Sequence, residues 1–180
     1  MQTLENEQHT AADAEETHWY AIHTRYQHES QVNQQLESKG FQTFYPTCTK
    51  RQNWSDRQKT IHLPLFPGYL FVTEIENRQL HVVTTPGVCG IVSIAGVPAA
   101  IPYLEIAAIR RAVASPLTVE AHSYLNTGDQ VRVIEGPLDG VTGILVRNEK
   151  STKLVLSVEL LGRSVAVCID ARSVVRAVAQ

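Results

Sequence analysis

Residues 128–146 read GDQVRVIEGPLDGVTGILV, and this stretch decides the fold of the C-terminal part of the chain. Apolar and polar residues alternate around Val131 and Val133, as they do in a strand with one buried face. Glycines stand where the chain must turn tightly, and glycine adopts the backbone angles that hairpin turns require. The residues of this motif are Gly128, Asp129, Val131, Val133, Gly136, Gly140 and Gly143. A hairpin without a ligand fits the same spacing, so the motif indicates a fold rather than an activity.

Further short strand patterns follow the hairpin, with Leu161-Gly162 as a turn signal between two of them. They are KLVLSVEL at 153–160, SVAVCI at 164–169 and SVVRAV at 173–178. Closely spaced strands over roughly fifty residues predict a small closed β-barrel, because closure removes exposed strand edges. We place this barrel at 127–180 and a linker at 114–126, where apolar periodicity is weak.

The chain before the linker mixes strand and helix patterns. Apolar and aromatic runs predict strands in HWYAIHT (18–24), FQTFYP (41–46), LFPGYLFV (65–72) and VCGIVSI (88–94). Apolar residues at helical spacing predict helices over 28–39 and from Pro102 to about Val113. Residues 48–63 are polar and irregular, which favours a loop. This order predicts an α+β domain over 18–113, with an antiparallel sheet flanked by helices.

Composition narrows the class of protein. Residues 1–17 carry five acids and no Lys or Arg, and their low apolar content predicts a disordered acidic tail. The domain over 18–113 carries nine basic and six acidic residues, a net charge of +3. No run approaches the roughly 20 apolar residues of a membrane span, and the polar N-terminus does not resemble a secretory signal. We therefore expect a folded cytoplasmic protein without membrane contact.

No pattern of an enzyme or a metal site is evident. The three cysteines lie far apart and are interpreted as reduced thiols. The seven histidines form no helical pair of metal ligands, and no nucleophile elbow, phosphate loop or dinucleotide fingerprint is present. We therefore expect neither catalysis nor a cofactor.

The segment PLFPGYLFV, residues 64–72, is the first candidate binding site. Pro67 and Gly68 allow a sharp bend before a strand on which Tyr69 and Phe71 share a face. Such aromatic residues are usually core residues of a packed strand. Two aromatic side chains beside a bend also fit an exposed docking patch, and the residues of the segment leave both interpretations open.

A second candidate site is the polar loop over 48–63. Its basic residues attract phosphate, and an exposed Trp can stack on an unpaired base. The candidate nucleic-acid-binding residues are Arg25, Lys50, Arg51, Trp54, Arg57 and Lys59. A solvated loop without a ligand is the alternative.

Taken in order, these blocks resemble the NusG family of transcription elongation factors over roughly residues 18–180. HWYAIHT, LESKGFQTFYP, PLFPGYLFV and TTPGVCGIV match successive blocks of its N-terminal domain, and residues 128–146 match the KOW motif of an SH3-like barrel. The 48–63 loop, the GPLDG turn and VELLGRSVAV are more similar to specialised paralogues of the UpxY and RfaH kind.

The resemblance implies a regulator that binds the clamp helices of the RNA polymerase β′ subunit through an aromatic patch. Carried over to this sequence, the patch comprises Trp19, Phe66, Tyr69 and Phe71. A factor that holds the clamp closed biases a two-state equilibrium, and about 1.4 kcal/mol of differential affinity changes the ratio of the states tenfold. The side of the domain that bears residues 48–63 would face the non-template DNA strand.

For the barrel, the resemblance implies a partner surface. Barrels of housekeeping members bind ribosomal protein S10 or the terminator Rho through aromatic residues. At the matching turns this chain has the smaller apolar residues Leu138, Val141 and Leu161, so S10 stays a candidate partner and Rho binding is not expected.

The leading hypothesis is a specialised antiterminator. A housekeeping factor that couples polymerase to the ribosome or Rho is the alternative within the family. A ribosome-associated RNA-binding protein with a KOW barrel is an alternative of another class, but such proteins are usually strongly basic and this chain has a net charge of −2. A third hypothesis is an adaptor whose barrel only recruits a partner.

Overall fold

A computed structural model describes residues 18–54, 57–73, 75–125, 128–148 and 151–177, without the side chains of 51–59 and 148. The predicted acidic tail, residues 1–17, lies outside the described residues. The chain divides into two compact units, one of Met1–Tyr45 with Gly68–Tyr103 and one of Pro46–Pro67 with Leu104–Gln180. This division differs from the predicted domain boundary at 114–126.

Short strands and three helices make up the described residues. The strands are β1 (Trp19–Thr24), β2 (Thr43–Phe44), β3 (Thr47–Trp54), β4 (Arg57–Pro64), β5 (Tyr69–Thr73), β6 (Val88–Ile91), β7 (Ser93–Ile94), β8 (Val97–Pro98), β9 (Ala100–Ile101), β10 (Val119–Ser123), β11 (Asp129–Val133), β12 (Thr142–Asn148), β13 (Ser151–Val158), β14 (Arg163–Cys168) and β15 (Val174–Arg176). The helices are α1 (Glu29–Ser38), α2 (Gln79–Val83) and α3 (Tyr103–Ala114), and 3-10 turns lie at Glu159–Leu161 and Ala171–Ser173.

The first unit contains an antiparallel sheet in the order β2-β5-β1-β6, with β9 also paired to β1. Tyr20 and Ile22 of β1 pack in one core with Val32 and Leu36 of α1, where an i, i+4 spacing puts both on the buried face. Gly40 follows α1 with a φ of +78°, which suits a helix stop. The predicted helix on a sheet is confirmed.

The second unit contains a six-stranded antiparallel sheet in the order β10-β14-β13-β12-β11-β15. Val131 lies opposite Gly143 in the β11–β12 pair. A Cβ on Gly143 would lie 2.7 Å from the carbonyl oxygen of Val155, so this close approach requires glycine. The α+β class with an antiparallel all-β C-terminal region is confirmed, and α3 agrees closely with the helix predicted to start at Pro102.

Two local predictions were wrong. Residues 48–63 are not an irregular loop, because β3 and β4 pair along their whole length from Thr47 opposite Pro64 to Trp54 opposite Arg57. Backbone pairing forms this hairpin without an apolar run in the sequence. Part of the predicted linker is a strand as well: Val119 to Ser123 form β10, which pairs with β14.

Candidate functional site

The Pro64–Val72 segment turns sharply at Pro67 and Gly68, as its sequence predicts. Gly68 has a φ of +84°, in the left-handed region that favours glycine. Pro67 is exposed, and Tyr69 begins β5 directly after the turn. The bend therefore separates the end of β4 from a strand in the middle of the first sheet.

Two elements of the first unit hold Gly68 through its backbone. Its N–H donates to the Oε1 atom of Glu29 at 2.8 Å, and its carbonyl accepts the N–H of Thr24 at 2.9 Å. Glu29 is the first residue of α1, and its side chain is only 3% exposed. Burial raises the pKa of the Tyr45 phenol, and the nearby Glu29 carboxylate raises it further. The first residue of a helix thus accepts a hydrogen bond from a turn 39 residues later in the chain.

The structure does not present the four predicted docking residues as one exposed patch. Trp19, Phe66 and Phe71 are each at most 1% exposed, and their assignment to the docking patch stays a prediction. Phe44 lies between two of them, 6.3 Å from the Trp19 ring in an edge contact and 6.0 Å from the Phe71 ring in a stacked contact. For Trp19 and Phe71 the physical reason is that both faces of β1 and β5 are buried, so their aromatic side chains pack in the core.

Tyr69 is the one predicted docking residue that reaches the surface. It is half-buried, and its ring lies 5.2 Å from the exposed His23 ring at a tilt of 30°. Arg25 and Tyr26 follow β1 on the same unit, and both are exposed, Tyr26 by 76%. We call His23, Arg25, Tyr26 and Tyr69 the strand-end surface. Of this set, only Arg25 and Tyr69 were predicted from the sequence as binding residues.

The predicted nucleic-acid-binding residues are not all described. Arg25 and Lys50 are exposed. The side chains of Arg51, Trp54, Arg57 and Lys59 lie outside the described part of the structure. What the hairpin supplies is the backbone, a two-stranded ribbon that carries all the predicted residues except Arg25.

The KOW segment has the predicted hairpin geometry. Gly136 and Gly140 have φ angles of +90° and +83°, and β11 pairs with β12 on either side of them. Val131 and Val133 are buried as the alternation predicts. Gly128 also has a positive φ, of +141°, and a Cβ there would lie 2.7 Å from the Ile144 side chain. The motif residues therefore serve the fold.

Two of the three residues of the predicted partner surface on the barrel are buried, and the surface stays a prediction. Leu138 is 1% exposed and Val141 is 6% exposed, so both belong to the core of the second unit. Leu161 is half-buried. The turn from 136 to 141 folds back through backbone hydrogen bonds, which points Leu138 inward rather than to a partner.

The described residues contain neither a cluster of metal ligands nor a helix suited to crossing a membrane. Within 18–54, 57–73, 75–125, 128–148 and 151–177, no three His, Cys, Asp or Glu side chains lie close enough to hold a metal ion together. Cys48, Cys89 and Cys168 are free thiols. Over the same ranges, no helix has the length and apolar character that crossing a membrane requires.

Comparison with known proteins gives one consistent family. The sequence profile described as "NusG: Transcription termination factor nusG" matches residues 17–110. The transcription termination/antitermination protein NusG of Thermus thermophilus is 30% identical over 183 residues, which cover 88% of this chain and 98% of that protein. The protein of the same name from Deinococcus radiodurans is 29% identical and covers 84% of this chain and 95% of its own length. A solved structure described as "Domain interaction in Thermotoga maritima NusG" covers 91% of this chain and 98% of its own, with 23% identity and a TM-score of 0.50, which supports the fold.

Proposed function

Because the chain belongs to the NusG family of transcription termination and antitermination factors, we propose that it binds RNA polymerase and changes how the elongating enzyme responds to pauses and terminators. The observation that carries this proposal is the family match over 17–110, which contains the whole Pro64–Val72 segment. The factor is not an enzyme, so its effect comes from binding one state of the polymerase more tightly than another.

The proposed docking contact is Tyr69, on the clamp helices of the polymerase β′ subunit. Tyr69 supports this role because it is the part of the predicted patch that lies at the surface, beside the exposed Pro67. Trp19 and Phe71 are buried in the same unit and would act by supporting the strands beneath it. An aromatic residue on a rigid strand loses little conformational entropy on binding, which suits a contact that carries much of the affinity.

The proposal extends to the non-template DNA strand through the β3–β4 hairpin. Lys50 is exposed, and Arg25 on the first unit is exposed as well. Arg51, Trp54, Arg57 and Lys59 are assigned from sequence, since cations and an aromatic residue at one hairpin suit an unpaired strand. Binding of this kind weakens steeply as salt concentration rises.

We also propose that the chain is a specialised antiterminator similar to UpxY-like and RfaH-like paralogues. It is supported by the sequence of the 48–63 region and the GPLDG turn, while the comparisons support the family as a whole. For the barrel we propose ribosomal protein S10 as the partner, and Leu161 as the remaining predicted contact. Binding to Rho is not proposed.

Binding of the full chain to a purified β′ clamp-helix fragment tests the docking contact. Tyr69→Ala should weaken binding about tenfold or more, because it removes an aromatic contact at the centre of the interface. Ile94→Ala is the control: this isoleucine is 64% exposed on β7 of the same unit, outside the strand-end surface, and its loss should leave the affinity unchanged. Equal affinity of wild type and Tyr69→Ala would contradict the assignment.

A further inference from the structure

We infer that Glu29 is a positioning residue, whose buried carboxylate fixes the Pro67–Gly68 turn and thereby presents Tyr69 to the polymerase; this inference rests on the proposed function. Its Oε1 atom accepts the Gly68 N–H at 2.8 Å, and the residue is 3% exposed. Nothing in the sequence around Glu29 marks it as part of a binding site, because its partner lies 39 residues away.

The turn has one internal restraint, the fixed φ of Pro67, which has no backbone N–H to donate. Gly68 without a side chain has wide conformational freedom. Its two backbone polar groups are both taken up by other elements, the N–H by Glu29 and the carbonyl by the Thr24 N–H. A hydrogen bond to an ionised carboxylate is stronger than one between neutral groups, so Glu29 supplies the stronger of the two restraints.

The position of Glu29 also suits a buried negative charge. It lies in the first turn of α1, where the helix dipole and the free N–H groups favour an anion. His28, the N-cap residue, makes no side-chain capping bond. A buried charge is seldom the most stable choice for a packed site, since an apolar residue of similar size often does as well or better. Packing alone therefore does not account for the carboxylate of Glu29. A role in defining the backbone geometry of the turn does.

The conformation of the turn directly affects the position of Tyr69. It is bonded to Gly68, and its ring lies against His23, which it faces in the β1–β5 register. A Cβ on Gly68 would lie 3.9 Å from the Cδ2 atom of His23, so the turn, His23 and Tyr69 are near neighbours. A rotation at Gly68 would therefore change the direction in which the Tyr69 side chain leaves the strand.

Three variants of the full chain test this role: Glu29→Ala, Glu29→Gln and Glu37→Gln as the matched control. Glu37 is an exposed carboxylate of the same helix, whose Oε1 accepts from Asn33 and Thr43 at the surface. The measurements are the affinity for the β′ clamp-helix fragment, the melting temperature and the hydrogen exchange of the Gly68 amide by NMR. The amide reports the turn itself, which a general loss of stability would not alter selectively.

In Glu29→Ala the Gly68 amide should exchange faster than its neighbours in β5, and binding should weaken about tenfold. Glu29→Gln retains an acceptor oxygen and should therefore keep most of the amide protection and most of the affinity. We expect the affinity to fall about threefold, because the acceptor is neutral. Glu37→Gln should match wild type in all three measurements.

Two results would overturn the inference. One is an unchanged Gly68 amide in Glu29→Ala, whether or not the melting temperature falls. The other is a freed Gly68 amide with unchanged binding. If wild type itself does not bind the fragment, the proposed docking function fails, and the amide measurement alone decides whether Glu29 holds the turn.

Discussion

The turn at Pro67 and Gly68 and the turn from Gly136 to Gly140 both contain glycines with φ between +83° and +90°, but they are held in different ways. The second turn closes on itself: the Gly140 N–H donates to the Val133 carbonyl at 2.8 Å, and the Asp139 N–H donates to the Gly136 carbonyl at 3.1 Å. The first turn relies on groups distant in sequence, above all on Glu29.

Because the two turns are held differently, we expect one to affect stability alone and the other to affect binding as well. A turn that closes on its own backbone depends on a few adjacent residues, and its main effect is on stability. A turn held by a distant side chain can be displaced without unfolding the rest of the unit. We therefore expect substitutions in the KOW turn to change stability alone, and substitutions around Gly68 to change binding as well.

The largest expected effect is in the KOW turn, at Leu138. Leu138→Ala should lower the free energy of unfolding by about 2–5 kcal/mol, because it leaves a cavity in a core position that is 1% exposed. The half-buried Leu161 is the control, and Leu161→Ala should cost clearly less. Urea denaturation of both variants measures the difference. A stable Leu138→Ala variant that has lost a barrel partner would instead restore Leu138 as a surface contact.

An alanine at either turn glycine gives a matched comparison. Gly68 and Gly140 have φ angles of +84° and +83°, so each substitution should cost about 1–2 kcal/mol of stability through backbone strain. Only Gly68→Ala should also weaken binding to the clamp-helix fragment, since Tyr69 follows it. Gly90→Ala is the control, because its Cβ would meet open space. Equal binding by the two turn variants would remove the functional distinction between the turns.

The smallest expected effect concerns a second restraint between distant residues. The Tyr20 hydroxyl donates to Glu76 at 2.7 Å, and burial followed by this hydrogen bond raises the pKa of Tyr20 from 10.0 to about 12. Above pH 10 the unfolded chain loses this proton while the folded chain keeps it, so stability should fall as pH rises from 10 towards 12. Tyr20→Phe should lack this fall in denaturation measured across the window. A wild-type stability that stays level there would show that the Tyr20 pKa is not raised.

The two turns also mark what sequence analysis could predict. Val131, Val133 and the glycines around them specify their hairpin locally, and alternation with turn residues is readable from one sequence. The bend at Gly68 was predicted for the same reason. Its attachment to Glu29 was not, because a buried carboxylate at the start of a polar helix looks like any exposed acid.

Exposure was the least predictable property of the candidate site. The pattern of PLFPGYLFV puts Tyr69 and Phe71 on one face, yet Phe71 is fully buried and Tyr69 reaches the surface. Tyr69 lies at the end of its strand, whereas Phe71 lies further in and stacks on Phe44. The β3–β4 hairpin was missed because its polar strands lack the alternation that identifies a half-buried strand.

We propose that polymerase docks at Tyr69, the first residue of β5, next to the Pro67–Gly68 turn. Titrating the isotope-labelled full chain with the unlabelled β′ clamp-helix fragment, and following backbone amide signals, tests it most directly. We predict that the largest shifts occur at Gly68, Tyr69 and Leu70, with little change at Gly136 and Gly140 in the KOW turn. Shifts confined to residues 128–177, with the signals of Gly68 and Tyr69 unmoved, would contradict the claim.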